Sequence, residues 1–156
     1  MKRAEIGGYT LLHTLATGGM GEVSLARRSG AYGFEKLVAV KTMLHRHAEN
    51  ESARKAFLDE ARLLSGLSHP AVASVLDCGE DDGALFLVME YVSGVGLHEF
   101  ANRAPVPPRA LGELFAQVCH GLHAAHELKG PAGETLGVVH RDVSPQNILV
   151  SFAGAA

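Results

Sequence analysis

The segment His140-Arg141-Asp142-Val143-Ser144-Pro145-Gln146-Asn147 decides how the rest of this chain is interpreted. It lies between two short apolar stretches, 138–139 and 148–150, which predict two short strands flanking a tight loop. An aspartate five residues before an asparagine in such a loop can direct a carboxylate at a hydroxyl group and an amide oxygen at a cation. An ordinary surface loop explains each of these residues singly but does not explain the set.

A lysine and a glutamate upstream form a second candidate pair. Lys41 follows Val38-Ala39-Val40 in a predicted strand and shares a face with Ala39, because side chains two residues apart point the same way. The next predicted helix carries Glu60 on its inward face, among apolar residues at i, i+3 and i+4 spacing. An unpaired charge on an apolar face is costly, so the pattern suggests an ion pair across the core. Two unrelated solvated charges are the alternative.

A glycine-rich turn precedes both the Lys41–Glu60 pair and the 140–147 segment in the sequence. Residues 16–23 read Ala-Thr-Gly-Gly-Met-Gly-Glu-Val and lie between two predicted strands. Glycines at such a turn allow backbone N–H groups to approach phosphate oxygens without a Cβ atom in the way. A flexible hairpin turn with no ligand is the alternative.

The remaining pattern divides the chain into a β-rich front part and a helical rear part, which predicts an α+β fold. The front part contains one helix, capped by Asn50, running to about Ser65 and followed by Gly66. Strands are predicted in the front part over 9–15, 22–28, 36–43, 72–76 and 85–89, with an acidic turn at 80–83. After Ser93-Gly94 the pattern predicts helices over 97–103 and 109–128.

Composition and charge narrow the possible functions. The chain has 156 residues, of which 47% are hydrophobic and 20% charged, and its formal net charge is −3. These values are typical of a soluble globular protein, and no Lys/Arg cluster forms the stripe that nucleic-acid binding requires. The longest apolar run, 84–89, has six residues and predicts a buried strand, because it is far too short to cross a membrane. We therefore expect no nucleic-acid partner and no membrane segment in this chain.

The cysteines and a histidine series have simple interpretations. Cys78 and Cys119 lie far apart and match no metal or redox motif, which favours reduced packing residues of a cytoplasmic protein. His120, His123 and His126 are spaced i, i+3, i+6 on a predicted helix. Ordinary surface histidines explain this spacing, and a metal site is the alternative.

Taken together and in this order, the glycine-rich turn, Val38–Lys41, the helix glutamate and the 140–147 segment resemble the protein kinase signature set. The wording Gly-Gly-Met-Gly-Glu-Val resembles the bacterial serine/threonine kinases, and the resemblance covers 9–152. It implies a protein kinase-like fold with a complete β-rich N-lobe containing one helix, plus a partial helical C-lobe. The implied boundaries are an N-terminal lead at 1–8, an ATP-binding N-lobe at 9–92, and a partial C-lobe at 93–156 that ends after the catalytic loop.

The resemblance also implies a reaction, in which the γ-phosphate of ATP is transferred to protein serine or threonine with Mg²⁺ as the metal. Lys41 would bind the α- and β-phosphates and be held by Glu60, Asp142 would orient the substrate hydroxyl, and Asn147 would hold a magnesium ion. The implied ATP-binding residues are Ala16, Gly18, Gly19, Gly21, Val23, Ala39, Lys41, Glu90, Val92 and Leu149. The glycines would cover the phosphates, and the apolar side chains would enclose the adenine. The implied partners are ATP and a protein substrate or partner chain.

Three departures from the family pattern bear on activity. Ala16 stands where the first glycine of the turn is usual, and Ser144 stands where serine/threonine kinases usually have a lysine near the γ-phosphate. After Val150-Ser151-Phe152 the family continues with an Asp-Phe-Gly segment, whose aspartate is the main magnesium ligand, and this sequence does not. We therefore expect weak or no activity from the chain itself. The alternatives are a non-catalytic ATP-binding or scaffolding pseudokinase fragment, and a part of a longer kinase.

The same departure suggests a consequence for stability. The predicted helix at 109–128 has an apolar face that would lack its usual cover. This face comprises Leu111, Leu114, Phe115, Val118 and Leu122. We expect the chain alone to be marginally stable.

Overall fold

The computed structural model describes residues 4–19, 21–44, 49–103 and 105–153. The chain forms two compact units. The first unit draws its described residues from Met1–Gly66 and Ser74–Tyr91, and the second from Leu67–Ala73 and Val92–Ala156. The predicted α+β fold, with a β-rich front part and a helical rear part, is confirmed.

The first unit is built on a six-stranded antiparallel sheet in the order β1-β2-β3-β4-β6-β5. Its strands are β1 (Glu5–Ile6), β2 (Tyr9–Thr17), β3 (Gly21–Ser29), β4 (Glu35–Met43), β5 (Val75–Asp81) and β6 (Ala84–Glu90). Helix α1 (Glu51–Ser65) connects β4 to the second half of the sheet. The sequence did not indicate β1.

Alternation along β4 and β6 divides the first unit's core into two clusters, because successive side chains of a strand point to opposite faces. One cluster contains Ile6, Tyr9, Ala26, Val38, Val40, Phe86 and Val88. The other packs against α1 and contains Met43, Phe57, Ala61, Leu85 and Leu87. Lys41 lies two residues before Met43 on β4, so both side chains point to the side of the sheet that α1 covers.

Helix α1 begins and ends where the sequence predicted, and only the conformation of Gly66 differs from the expected glycine cap. The Asn50 side chain accepts a hydrogen bond from the Ala53 N–H at 3.1 Å, which satisfies one of the unpaired donors of the first turn. Gly66 follows the helix with φ −85°, so the chain leaves α1 in the right-handed region. Gly66 therefore does not supply the left-handed cap for which glycine is usually selected.

The second unit contains helices α2 (Leu97–Arg103) and α3 (Pro108–His126) and a two-stranded antiparallel sheet of β7 (Gly94–Gly96) and β8 (Leu149–Ser151). Its core consists of Leu97, Leu114 and Val150, with Phe100 and Ile148 packed against them. Segment 67–73 also belongs to this unit and approaches α3 at Gly121, where an added Cβ atom would lie 3.1 Å from Val72 Cγ2.

Two strand predictions were wrong. Residues 138–139 form no strand, because the strand that pairs with β8 is β7. The strand predicted over 72–76 begins at Val75, since the Val72 N–H is already bonded to the His69 carbonyl in a turn. The acidic turn predicted over 80–83 consists of Asp82 and Gly83 alone, because β5 and β6 pair as far as Asp81 and Ala84. Both turn residues have left-handed φ values.

Burial also corrects two side-chain interpretations. Cys78 and Cys119 are free thiols as expected, but both are exposed, so neither is a packing residue. On α3, Leu114 is buried, while Phe115 is 46% exposed. The expected lack of cover therefore applies to Phe115 and not to the whole face. Within the described ranges, no helix has the length and apolar character needed to span a membrane.

Candidate active site

The predicted ion pair between Lys41 and Glu60 is present. Lys41 Nζ lies 2.7 Å from Glu60 Oε1 and 2.9 Å from Oε2, and it lies 5.6 Å from the centre of the Phe57 ring. The side chains are 22% and 42% exposed, so the pair is partly solvated and its main effect is on position rather than on stability. An ammonium group has three N–H donors, and two bonds to Glu60 leave a third for a ligand.

The glycine-rich turn joins β2 to β3. The Gly18 N–H donates to the Gly21 carbonyl at 2.8 Å, which closes the turn, and Ala16 pairs with Val23 at its base. A Cβ atom built on Gly19 would meet no heavy atom within 4 Å, so there is space beside the chain at this position. Met20 lies outside the described residues.

Gly21 has a packing reason of its own. A Cβ atom on this residue would lie 2.7 Å from the Thr42 carbonyl oxygen on the neighbouring strand β4. That distance is shorter than real Cβ contacts allow, so glycine is needed for β3 and β4 to approach here.

The side chains assigned to the adenine lie close to Lys41 in the sheet register. Val23 pairs directly with Lys41, and Ala39, on the same strand as Lys41, pairs with Met89 on β6. At the end of β6, the Glu90 N–H donates to the Ser74 carbonyl at 2.8 Å. The Glu90 N–H is therefore not available to a nucleotide.

The second unit contains Val92, Asp142, Asn147 and Leu149. In the 140–147 loop, the Asn147 side chain donates from Nδ2 to the Asp142 carbonyl and to Asp142 Oδ2, both at 2.9 Å. The Asp142 N–H donates to His140 Nδ1 at 3.2 Å, and the Asn147 N–H donates to the Ser144 carbonyl at 2.9 Å. Asp142 and Asn147 are both exposed, so the loop presents a carboxylate and an amide side by side to solvent.

The geometry of this loop depends on one unusual backbone conformation. Arg141 has φ 63°, a left-handed value that is costly for a residue with a long side chain. It reverses the chain between His140 and Asp142, which allows the Asp142 N–H to meet the His140 ring. Such outliers often occur at functional sites.

A magnesium ion fits part of this donor set. The Asn147 amide uses its nitrogen in both bonds to Asp142, and neither bond uses its oxygen, the atom type that hard cations prefer. Over the part of the chain that the structure describes, no three His, Cys, Asp or Glu side chains are grouped for a metal, and this includes the α3 histidines. Magnesium usually takes few protein ligands and completes its shell with phosphate and water.

Sequence reasoning missed the contacts that support the 140–147 loop from outside. The Leu97 N–H donates to the Ile148 carbonyl at 2.7 Å, and the His98 N–H donates to the Pro145 carbonyl at 3.2 Å. The available signal was Gly94-Val95-Gly96, since two glycines in three residues can mark a close approach of two backbones.

Known proteins with this pattern are numerous. The sequence model of the protein kinase domain family matches residues 9–155. The chain is 37% identical over 153 residues to tyrosine-protein kinase MasK of Myxococcus xanthus, covering 95% of this chain and 24% of that protein. It is 37% identical over 146 residues to serine/threonine-protein kinase pkn2 of the same species, covering 93% of this chain and 16% of that protein.

Comparison with solved structures leads to the same family. The chain resembles the crystal structure of the PknI kinase domain of Mycobacterium tuberculosis with a TM-score of 0.70 and 31% sequence identity. This match covers 93% of the chain and 55% of the PknI domain. The chain thus spans about half of that domain and a quarter or less of the two Myxococcus relatives.

Proposed function

This chain belongs to the protein kinase domain family, and on that premise we propose that it carries the nucleotide-binding and catalytic-loop residues of a bacterial serine/threonine protein kinase. Its reaction is the transfer of the γ-phosphate of ATP to a protein hydroxyl. The division into an N-terminal lead at 1–8, an N-lobe at 9–92 and a partial C-lobe at 93–156 is part of the same proposal.

The observation that carries this proposal is the paired contact between Lys41 and Glu60. A lysine held by both oxygens of one carboxylate has its remaining donor in a defined direction, which suits a phosphate oxygen. We assign Gly18 and Gly19 to the phosphate side of the site, because a Cβ atom added at Gly19 would meet no heavy atom within 4 Å and a phosphate group therefore has room beside the turn. From the family resemblance we also assign nucleotide contacts to Ala16, Gly21, Val23, Ala39 and Glu90 of the first unit, with Glu90 contributing through groups other than its N–H. Val92 and Leu149 of the second unit are assigned nucleotide contacts on the same ground.

The 140–147 loop supports the transfer step. The bonds from Asn147 hold the Asp142 carboxylate in place, so that Asp142 can accept or orient the proton of the substrate hydroxyl. Asn147 provides its amide oxygen to a magnesium ion, which would neutralise phosphate charge when bound. ATP, magnesium, a protein substrate or partner chain, and a cytoplasmic location where ATP is available are all parts of this proposal.

Measurement of nucleotide binding tests the proposed role of Lys41. Lys41→Met should weaken ATP binding by about tenfold or more in calorimetric titration, because it removes a charge-assisted hydrogen bond. Lys55→Met is the matched control, since Lys55 lies on α1 with its side chain 80% exposed and should bind ATP like the parent chain. Equal affinities in the two variants would refute the assignment of Lys41.

Measurement of phosphate transfer tests the proposed role of Asp142. Transfer of label from γ-labelled ATP to a protein substrate should be lost in Asp142→Ala and retained in Glu113→Ala, an exposed carboxylate on α3. ATP binding that survives EDTA, with no transfer by the parent chain or by the longest native product containing it, would favour the non-catalytic binding alternative.

A tyrosine hydroxyl is a second candidate acceptor, and Ser144 is the observation that favours it. Serine/threonine kinases usually have a lysine at this position, and MasK, a relative with 37% identity, is named a tyrosine-protein kinase. Phosphoamino acid analysis of the product distinguishes the two acceptors. If Ser144 sets this preference, Ser144→Lys should shift the product toward phosphoserine and phosphothreonine.

A further inference from the structure

We propose that the backbone segment 93–98, and above all the N–H group of His98, is the positioning element for the 140–147 loop. This inference rests on the proposed function only in taking that loop to be the one that carries the chemistry. The positioning itself is argued from hydrogen bonds and packing within the second unit.

The loop's internal bonds define its shape but not its place. His140, Asp142, Ser144 and Asn147 bond to one another, and most of these residues are exposed. A loop closed only on itself could move as a body, and its exposed hydrogen bonds would open readily because no packed part of the chain holds them. A defined place requires bonds to a part of the chain that is itself packed.

Segment 93–98 provides such bonds. The Leu97 N–H donates to the Ile148 carbonyl at 2.7 Å and the His98 N–H to the Pro145 carbonyl at 3.2 Å, while the Phe152 N–H donates to the Ser93 carbonyl at 2.9 Å. Between these points, β7 pairs with β8 residue by residue. The segment therefore contacts the chain within the loop, just after it and beyond β8.

The donors are fixed by the core. Leu97 is buried together with Leu114 of α3 and Val150 of β8. Its N–H and that of His98 belong to the first turn of α2, where backbone donors have no partner inside the helix. The loop carbonyls fill these open donor positions, so burial of Leu97 determines where Pro145 and Ile148 lie.

Gly94 makes the approach of β7 to β8 possible, and Gly96 leaves room for the His98 side chain. A Cβ atom on Gly94 would collide with the Val150 carbonyl, and a Cβ atom on Gly96 would lie 2.7 Å from His98 Nδ1. The first contact is with backbone, which cannot move aside without separating β7 from β8. Segment 93–98 thus has the composition required for close backbone contact with the strand that follows the loop.

Two variants of one residue isolate the His98 N–H. His98→Pro removes the donor at a helix position where proline is tolerated, and His98→Ala removes only the imidazole and keeps the donor. Amide hydrogen exchange of Asn147, whose N–H is bonded to Ser144, reports the order of the loop without requiring activity. We expect exchange at least tenfold faster in His98→Pro than in His98→Ala, with unchanged exchange in β3 and β4.

Equal Asn147 exchange in the two variants would overturn the inference. If His98→Pro does not fold, an ester bond in place of the amide of residue 98 removes the same N–H while leaving φ free, and the same comparison applies.

Kinetics add a readout that a general loss of structure would not give. In a transfer assay, His98→Pro should lower kcat by about tenfold to a hundredfold with the KM for ATP unchanged, because small displacements of a catalytic group are costly. A parallel rise in KM would contradict a positioning role. Absence of transfer by the parent chain would refute the proposed function alone, since hydrogen exchange still decides whether the His98 N–H positions the loop.

Discussion

Phe57 connects the stability of the first unit to the candidate nucleotide site. Its ring is 2% exposed in the cluster that joins α1 to the sheet, and its centre lies 5.6 Å from Lys41 Nζ. Replacing a buried phenylalanine by alanine removes apolar burial and leaves a cavity, at a cost of about 3–5 kcal/mol. Domains are stable by only about 5–15 kcal/mol, so Phe57→Ala should remove a large part of the total.

The matched control is the exposed phenylalanine of α3. Phe115 is 46% exposed, and Phe115→Ala should cost less than about 1 kcal/mol. Urea unfolding followed by circular dichroism gives both values, and thermal melts should show Phe57→Ala lower by about 6–20 °C. Phe57→Ala should also weaken ATP binding, because α1 carries Glu60 one turn further on. Equal losses in the two variants would refute the packing assigned to α1.

Three further predictions concern local features. Asn50→Ala should lower the free energy of unfolding by about 1 kcal/mol through loss of the cap to the Ala53 N–H, while Asn50→Asp should retain it in the same urea titration. Tyr32 has φ 58°, so Tyr32→Gly should raise the melting temperature and Tyr32→Ala should not, since only glycine relieves a left-handed conformation. Burial, and then the hydrogen bond to Asp77, raise the pKa of Tyr9, so the folded state favours the neutral phenol. The resulting stabilisation is complete below the unfolded pKa of about 10 and is lost as the pH rises through the folded pKa. The free energy of unfolding should therefore fall above about pH 10, and a Tyr9→Phe variant should lose less over the same range.

Much of the fold could be predicted because the signals were local. The range 97–103 was predicted for a helix and is occupied by α2, and Asn50 caps α1 as expected. The alternation that directs Lys41 toward α1 follows from a period of two along one strand, and the position of Glu60 follows from the helix period. Their contact required only that α1 pack on that side of the sheet, as the apolar residues near Glu60 indicate.

Other features had no local signal. Residues 138–139 are apolar and β-branched like many strand residues, yet Val139 is 60% exposed and unpaired, because β7 is the partner of β8. Val72 was predicted to begin a strand, but segment 67–73 belongs to the second unit. Cys78 was interpreted as a packing residue, and it is exposed on β5, the edge strand of the sheet. Each outcome depends on which distant segment lies opposite, which periodicity does not contain.

The sequence by itself determined the kind of protein, because the order of the motifs identifies the family. It favoured an ion pair between Lys41 and Glu60 through short-range periods, and two solvated charges remained the alternative until the structure placed α1 on that side of the sheet. The tertiary structure alone decided how the 140–147 loop is supported. The donors of Leu97 and His98 are backbone N–H groups, which every residue except proline has, so no side-chain pattern marks them. They become specific only when the burial of Leu97 brings them to the Ile148 and Pro145 carbonyls, about fifty residues further along the chain.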